Sequence, residues 1–195
     1  MPTSPFIDSD GKRIQEKSII GYGSSGGVVR CDNLAIKSPH RYSWTGPWEL
    51  EENIGDLKNE QDAYCRFNSF PRQETDCIGA CMELCTNATH LAFMGNRNFR
   101  AYSKKYRIPH GAVQLLWFCQ MARALAQVHD KCVIVADVAT GNFLIDADLS
   151  IKLCDFSNAA IFPLGTVMER ADDVGYTVKS NIGQLGAAMC EVATG

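Results

Sequence analysis

Asp137, Asn142 five positions later, and Asp155 in the run Cys154-Asp-Phe-Ser157 are the residues of this chain best suited to hold a divalent cation. Upstream stand the glycine-rich run Gly21-Tyr-Gly23-Ser-Ser-Gly26-Gly-Val28 and Lys37. Carboxylate and amide oxygens suit Mg²⁺. A glycine-rich turn lets backbone approach phosphates without side-chain clashes, and an ammonium offsets their charge. In this order the residues describe a site for phosphoryl transfer from a nucleoside triphosphate. Each also has a plainer meaning when taken alone. Gly-rich hairpin turns are common in sheets, and an aspartate after a strand often caps a turn. A lysine at a strand end is usually a surface residue.

The elements that would position them can be read from periodicity. Residues 1–18, with Pro2, Pro5 and Gly11, read as a loose arm, taken as residues 1–17. Strands are predicted over 18–22, 28–31 and 34–37, the last two joined by a turn at Asp32-Asn33. A helix over 49–68 carries Ile54, Leu57, Ala63, Tyr64 and Phe67 at helical intervals. Strands over 78–85 and 90–94 complete a strand-rich part, residues 18–95, and Gly95-Asn96-Arg97-Asn98 marks its end. Residues 96–195 are mainly helical. Helices are predicted over 99–104 and 112–129, the second with Val113, Leu116, Met121, Leu125 and Val128 on one face. Short strands follow at 143–145 and 151–153, then a helix over 181–193. The class is α+β.

With 195 residues and 46% hydrophobic content the chain has material for a sizeable core. Its formal charge of −3, with no block of Lys or Arg, gives nucleic-acid binding no support. No apolar run is long enough for a bilayer and the first residues lack a signal-peptide pattern, so no membrane association and a cytoplasmic or nuclear location are expected. Nine cysteines lack paired C-x-x-C spacing and read mostly as reduced, buried thiols. Cys77, Cys81 and Cys85 would stack on one helical face and, with His90, imitate a metal site; the same segment also alternates as a strand.

In ordered constellation the chain from about Ser18 onward resembles the eukaryotic-type protein kinases. Val28-Val-Arg-Cys31 after the glycines is strand chemistry, unlike the helix that follows the glycines of a dinucleotide-binding fold. Leu34-Ala-Ile-Lys37 resembles the V-A-I-K strand, Asp137 with Asn142 the catalytic loop, and Asp155-Phe-Ser157 the D-F-G motif. The resemblance implies a bilobal fold: an antiparallel-sheet lobe with one main helix, then a C-terminally truncated helical lobe. It implies ATP and Mg²⁺. Lys37, paired with Glu60, would position phosphates; Asp137 would accept the acceptor hydroxyl's proton; Asn142 and Asp155 would hold metal. Gly21, Gly23 and Gly26 would cradle phosphates. The adenine would lie among Ile20, Val28, Ala35, Leu91 and Leu144, with backbone of Ala92 to Met94 offering hydrogen bonds.

Several positions depart from the pattern. Val135 and Ala136 stand where the family has His and Arg, and Ala139 where serine/threonine kinases have a lysine, a loss worth about two orders of magnitude in rate. Ser157 replaces a glycine, which would restrict the backbone, and Asn181 an aspartate; Glu169 falls at the A-P-E glutamate position without the preceding residues. The reading is an ATP-dependent protein serine/threonine kinase acting on a protein hydroxyl. A nucleotide-binding pseudokinase serving as a regulatory or scaffold module, and a small-molecule kinase, stand as alternatives. The apolar face of Leu185, Ala188 and Met189 is expected to lack part of its cover, which implies a partner, an oligomer or marginal stability.

Overall fold

Alternate residues of Leu34-Ala-Ile-Lys-Ser-Pro39 are buried, as the period of two in a strand requires, so Ala35 and Lys37 share one face of a sheet. The computed structural model describes residues 3–8, 11–23 and 25–194. Ser24 of the glycine-rich run, residues 1, 2, 9 and 10 of the expected arm, and Gly195 lie outside the described residues. The fold is α+β and divides into two units, Met1–Gln61 with Ala80–Phe93, and Asp62–Gly79 with Met94–Gly195.

The first unit opens with strands β1 (Thr3–Ile7) and β2 (Arg13–Gln15), paired antiparallel where a loose arm is expected. Phe6 explains this: it is fully buried and packs edge-on against Tyr22, His40 and Tyr42. Tertiary burial overrides the weak local signal, and Pro5 is tolerated in a short two-stranded ribbon. Next come β3 (Ile19–Tyr22), β4 (Gly26–Cys31) and β5 (Leu34–Pro39). Helix α1 (Pro47–Asn68) follows, then β6 (Cys81–Cys85) and β7 (Ala88–Ala92). These strands form one antiparallel sheet in the order β3-β4-β5-β7-β6. Because β6 is strand, Cys77, Cys81 and Cys85 form no helical row of thiols. The predicted strand start at Ile78 is also corrected: Ile78 makes an isolated parallel bridge to Leu153 within the second unit.

The second unit takes the last turns of α1, then α2 (Phe99–Lys105), α3 (Ala112–Asp130), β8 (Val133–Ile134), β9 (Phe143–Ile145), β10 (Ile151–Leu153), β11 (Ala160–Ile161) and α4 (Val178–Thr194). β9 pairs with β10, and β8 with β11. α3 buries Trp117, Met121, Ala124, Leu125 and Val128, while the predicted face residues Val113 and Leu116 are exposed. Trp117 is anchored by an Nε1–H donated to the Leu149 carbonyl at 2.8 Å. On α4, Leu185 and Ala188 are buried and Met189 is half-buried. No described helix is long and apolar enough to cross a membrane.

Candidate functional site

In the first unit, Lys37 Nζ lies 2.9 Å from Glu60 Oε2, with side-chain exposures of 8% and 0%. Glu60 reaches this place because Asn53, Leu57 and Glu60 recur at three- and four-residue intervals, and all are buried. Gln61 fixes the helix further: its Nε2 donates to the carbonyls of Cys85, at 2.8 Å, and Ala88, at 3.1 Å. A buried ammonium and carboxylate each cost several kcal/mol to dehydrate, about offset by their mutual attraction when they are this close.

The antiparallel register places Gly21 opposite Val28, Val28 opposite Lys37, and Ala35 opposite Leu91. Opposed residues share a face, so Gly21, Val28, Ala35, Lys37 and Leu91 line one side of the sheet. Ile20 falls at an irregularity between Ile19 and Gly21. Gly23 closes the β3–β4 turn by donating its N–H to the Gly26 carbonyl at 2.7 Å. Neither Gly21 nor Gly26 has a positive φ. The demand at Gly26 is steric instead, since a Cβ there would stand 2.8 Å from the Ser38 carbonyl oxygen. The N–H groups of Ala92 and Phe93 are donated to the carbonyls of Ala80 and Asn33.

In the second unit, Asn142 Nδ2 donates to Asp137 Oδ2 at 3.0 Å and to the Asp137 carbonyl at 3.1 Å. The Asn142 carbonyl in turn accepts the Cys154 N–H at 2.9 Å, tying the loop to the residue before Asp155. Asp155 has φ +68°, a left-handed conformation that aspartate tolerates better than most residues. Ser157 Oγ donates to Asp155 Oδ1 at 2.5 Å, so serine here orients the carboxylate. Phe156 is wholly buried against Tyr64 and Phe67, with ring centroids 5.4 and 4.9 Å away. Such pairs add about 0.5–1.5 kcal/mol beyond burial. Met94 is buried and Leu144 half-buried, the latter paired with Lys152 and bridged to Asn98.

Periodicity gives no hint of how the Asp137 loop is held. Asn181, fully buried on α4, accepts the Val135 N–H and donates Nδ2–H to the Val135 carbonyl at 2.6 Å. Gln184 accepts from the Val138 N–H and donates to the Ala136 carbonyl at 3.0 Å. Thr140 Oγ1 donates to Glu191 at 2.9 Å. Asn181 and Gln184, on one side of α4, therefore grip the backbone on both sides of Asp137, and Glu191 on the same side holds the Thr140 side chain. The only sequence signal is polar residues spaced along an otherwise apolar helix face. His129 joins them, its Nε2–H donating to Asn181 Oδ1 at 3.0 Å. Burial lowers the His129 pKa, and the bond to Asn181 only partly opposes this.

No family model matches the chain. It is 27% identical to MAP kinase kinase MKK1/SSP32 of Saccharomyces cerevisiae over 209 aligned positions, covering 94% of this chain and 39% of that protein. It is 24% identical to a mitogen-activated protein kinase kinase of Aspergillus fumigatus, covering 95% and 40%. It is also 25% identical to the LRR receptor-like serine/threonine-protein kinase ERL2 of Arabidopsis thaliana, covering 94% and 21%. The chain thus spans less than half the length of these relatives. By its curated relatives and by its fold, the chain is protein kinase-like.

Proposed function

We propose that the chain binds Mg-ATP and transfers the γ-phosphoryl group to a protein serine or threonine hydroxyl. The buried pair of Lys37 and Glu60 at 2.9 Å carries the reading. A lysine held in this way presents a fixed cation to phosphates, where a surface lysine would not. The donor set also fits: the Asn142 amide oxygen and the Asp155 carboxylate are hard ligands of the kind Mg²⁺ prefers. Bound there, the ion would offset charge on the phosphates. Asn142 Nδ2, occupied by Asp137, leaves the amide oxygen as the ligand atom. Asp137 orients the acceptor hydroxyl and takes its proton; α4 limits the motion of its backbone. Relatives named as serine/threonine-protein kinases favour those hydroxyls over small molecules.

Transfer of labelled phosphate from ATP to a generic protein substrate tests the proposal. Wild type should transfer, and Asp155→Ala should reduce transfer to background while keeping the fold. Undiminished transfer in Asp155→Ala rejects the assignment. A second reading, a nucleotide-binding pseudokinase, draws on Val135, Ala136 and Ala139 in place of the family's cations. Phosphate transfer that disappears in Lys37→Met would remove it.

A further inference from the structure

The other face of the sheet carries a group of donors that phosphoryl transfer does not use. β6 and β7 are joined by a tight turn at Thr86-Asn87, with Cys85 opposite Ala88 and Glu83 opposite His90. Glu83 and Cys85, two apart on β6, share a face, and the register adds His90 to it. Thr89 and Leu91, on either side of His90, are buried on the face that carries Lys37, because they oppose Lys37 and Ala35. His90, opposite Ile36, looks the other way.

A sulfur, an imidazole nitrogen and a carboxylate oxygen from Cys85, His90 and Glu83 lie within 4.8 Å of one another. The Cys85 Sγ to His90 Nε2 separation is 3.9 Å; the Glu83 oxygen is 3.0 Å from the other ring nitrogen, Nδ1, so one ion can meet only one of these two nitrogens. Tetrahedral zinc with ordinary Zn–N and Zn–S bonds would hold sulfur and nitrogen about 3.5 Å apart. For the sulfur and Nε2 a small inward adjustment suffices, and the Glu83 carboxylate must turn from Nδ1 to the same ion. The half-exposed position admits a fourth, solvent ligand, and a borderline-soft ion suits mixed sulfur, nitrogen and oxygen donors.

We propose that Glu83, Cys85 and His90 form a site for Zn²⁺ or a similar divalent transition-metal ion that braces the edge hairpin β6–β7. The site is independent of the phosphoryl-transfer reading, because its ligands project from the face opposite Lys37. Binding releases the thiol proton and stabilises the hairpin by closing it through three side chains.

Cobalt titration of the purified chain, stripped with a chelator and kept reduced, tests this. A thiolate-to-cobalt charge-transfer band should saturate at one equivalent and be bleached by added Zn²⁺. Cys85→Ser should abolish the band. Outer-shell changes at metal sites cost about 10–100-fold in affinity, so His90→Gln, which removes a direct ligand, should cost more than about 100-fold. Glu83→Gln should weaken binding less. Because the chain has eight other cysteines, a band that persists in Cys85→Ser would place the metal elsewhere and overturn the assignment. So would the absence of a saturable band in the wild-type chain, whatever the variants do.

Discussion

Lys37 sits on the central strand of a five-stranded sheet, its direction fixed by pleat and register; Asp137 sits in a loop whose backbone is gripped by side chains of α4. The first arrangement pairs Lys37 with Glu60, buried beside it. The second needs several weaker bonds to polar residues more than 40 positions away. A strand residue inherits rigidity from its ladder, whereas a loop residue acquires it only through distant donors and acceptors. Damage should therefore be concentrated in the first region and graded in the second.

Glu60→Ala should give the largest effect. It leaves the Lys37 ammonium buried without its carboxylate and should cost about 3–5 kcal/mol in urea unfolding. The double variant Lys37→Met with Glu60→Leu should recover much of that, since it removes both charges; if it is as unstable as Glu60→Ala, packing and not charge governs the position. Ala139→Lys sharpens the loop side. Restoring a cation near the transferred group should raise phosphate transfer by about 100-fold, or about 2.7 kcal/mol of barrier, with unfolding little changed. Asn181→Asp comes next, at about 1–3 kcal/mol. It replaces the Nδ2 donor with an acceptor facing the Val135 carbonyl, and a serial loss is expected: lower urea midpoint first, slower phosphate transfer with it.

The smallest effect is a pH dependence. Because burial lowers the His129 pKa, the unfolded chain binds more protons than the native one. Stability present above the ordinary histidine value of about 6.5 is therefore lost as pH falls through it towards the lowered native value. His129→Gln, which keeps a donor towards Asn181, should flatten that slope in urea midpoints measured across this range. An unchanged slope would assign the dependence to another group.

Legibility in the sequence follows the same division. The sheet residues could be found because alternation and pairing are local: Ala35 and Lys37 announce their face within six residues. On α3, Leu116 looked like core but is exposed, and its neighbour Trp117, about 100° further round the axis, is buried instead. Apolar type alone could not choose between adjacent residues. The β1–β2 ribbon escaped notice because its strands are too short for a period, and what holds it, Phe6 against Tyr22, His40 and Tyr42, is tertiary. The bonds from Asn181 and Gln184 escaped for the same reason. Asn181 was visible only as a departure from an aspartate; its amide donor gives that departure a physical cause. Ser157, expected to stiffen the backbone, supplies a hydroxyl to Asp155.

The left-handed backbone at Asp155 sets folding and chemistry against each other at one residue. Glycine there would relax a conformation that costs most L-residues about 1–2 kcal/mol, and would delete the carboxylate at the same stroke. Selecting this chain for thermal robustness alone would thus favour sequences that have lost the oxygens proposed to bind metal. Any stabilising library built on this chain should hold position 155 fixed.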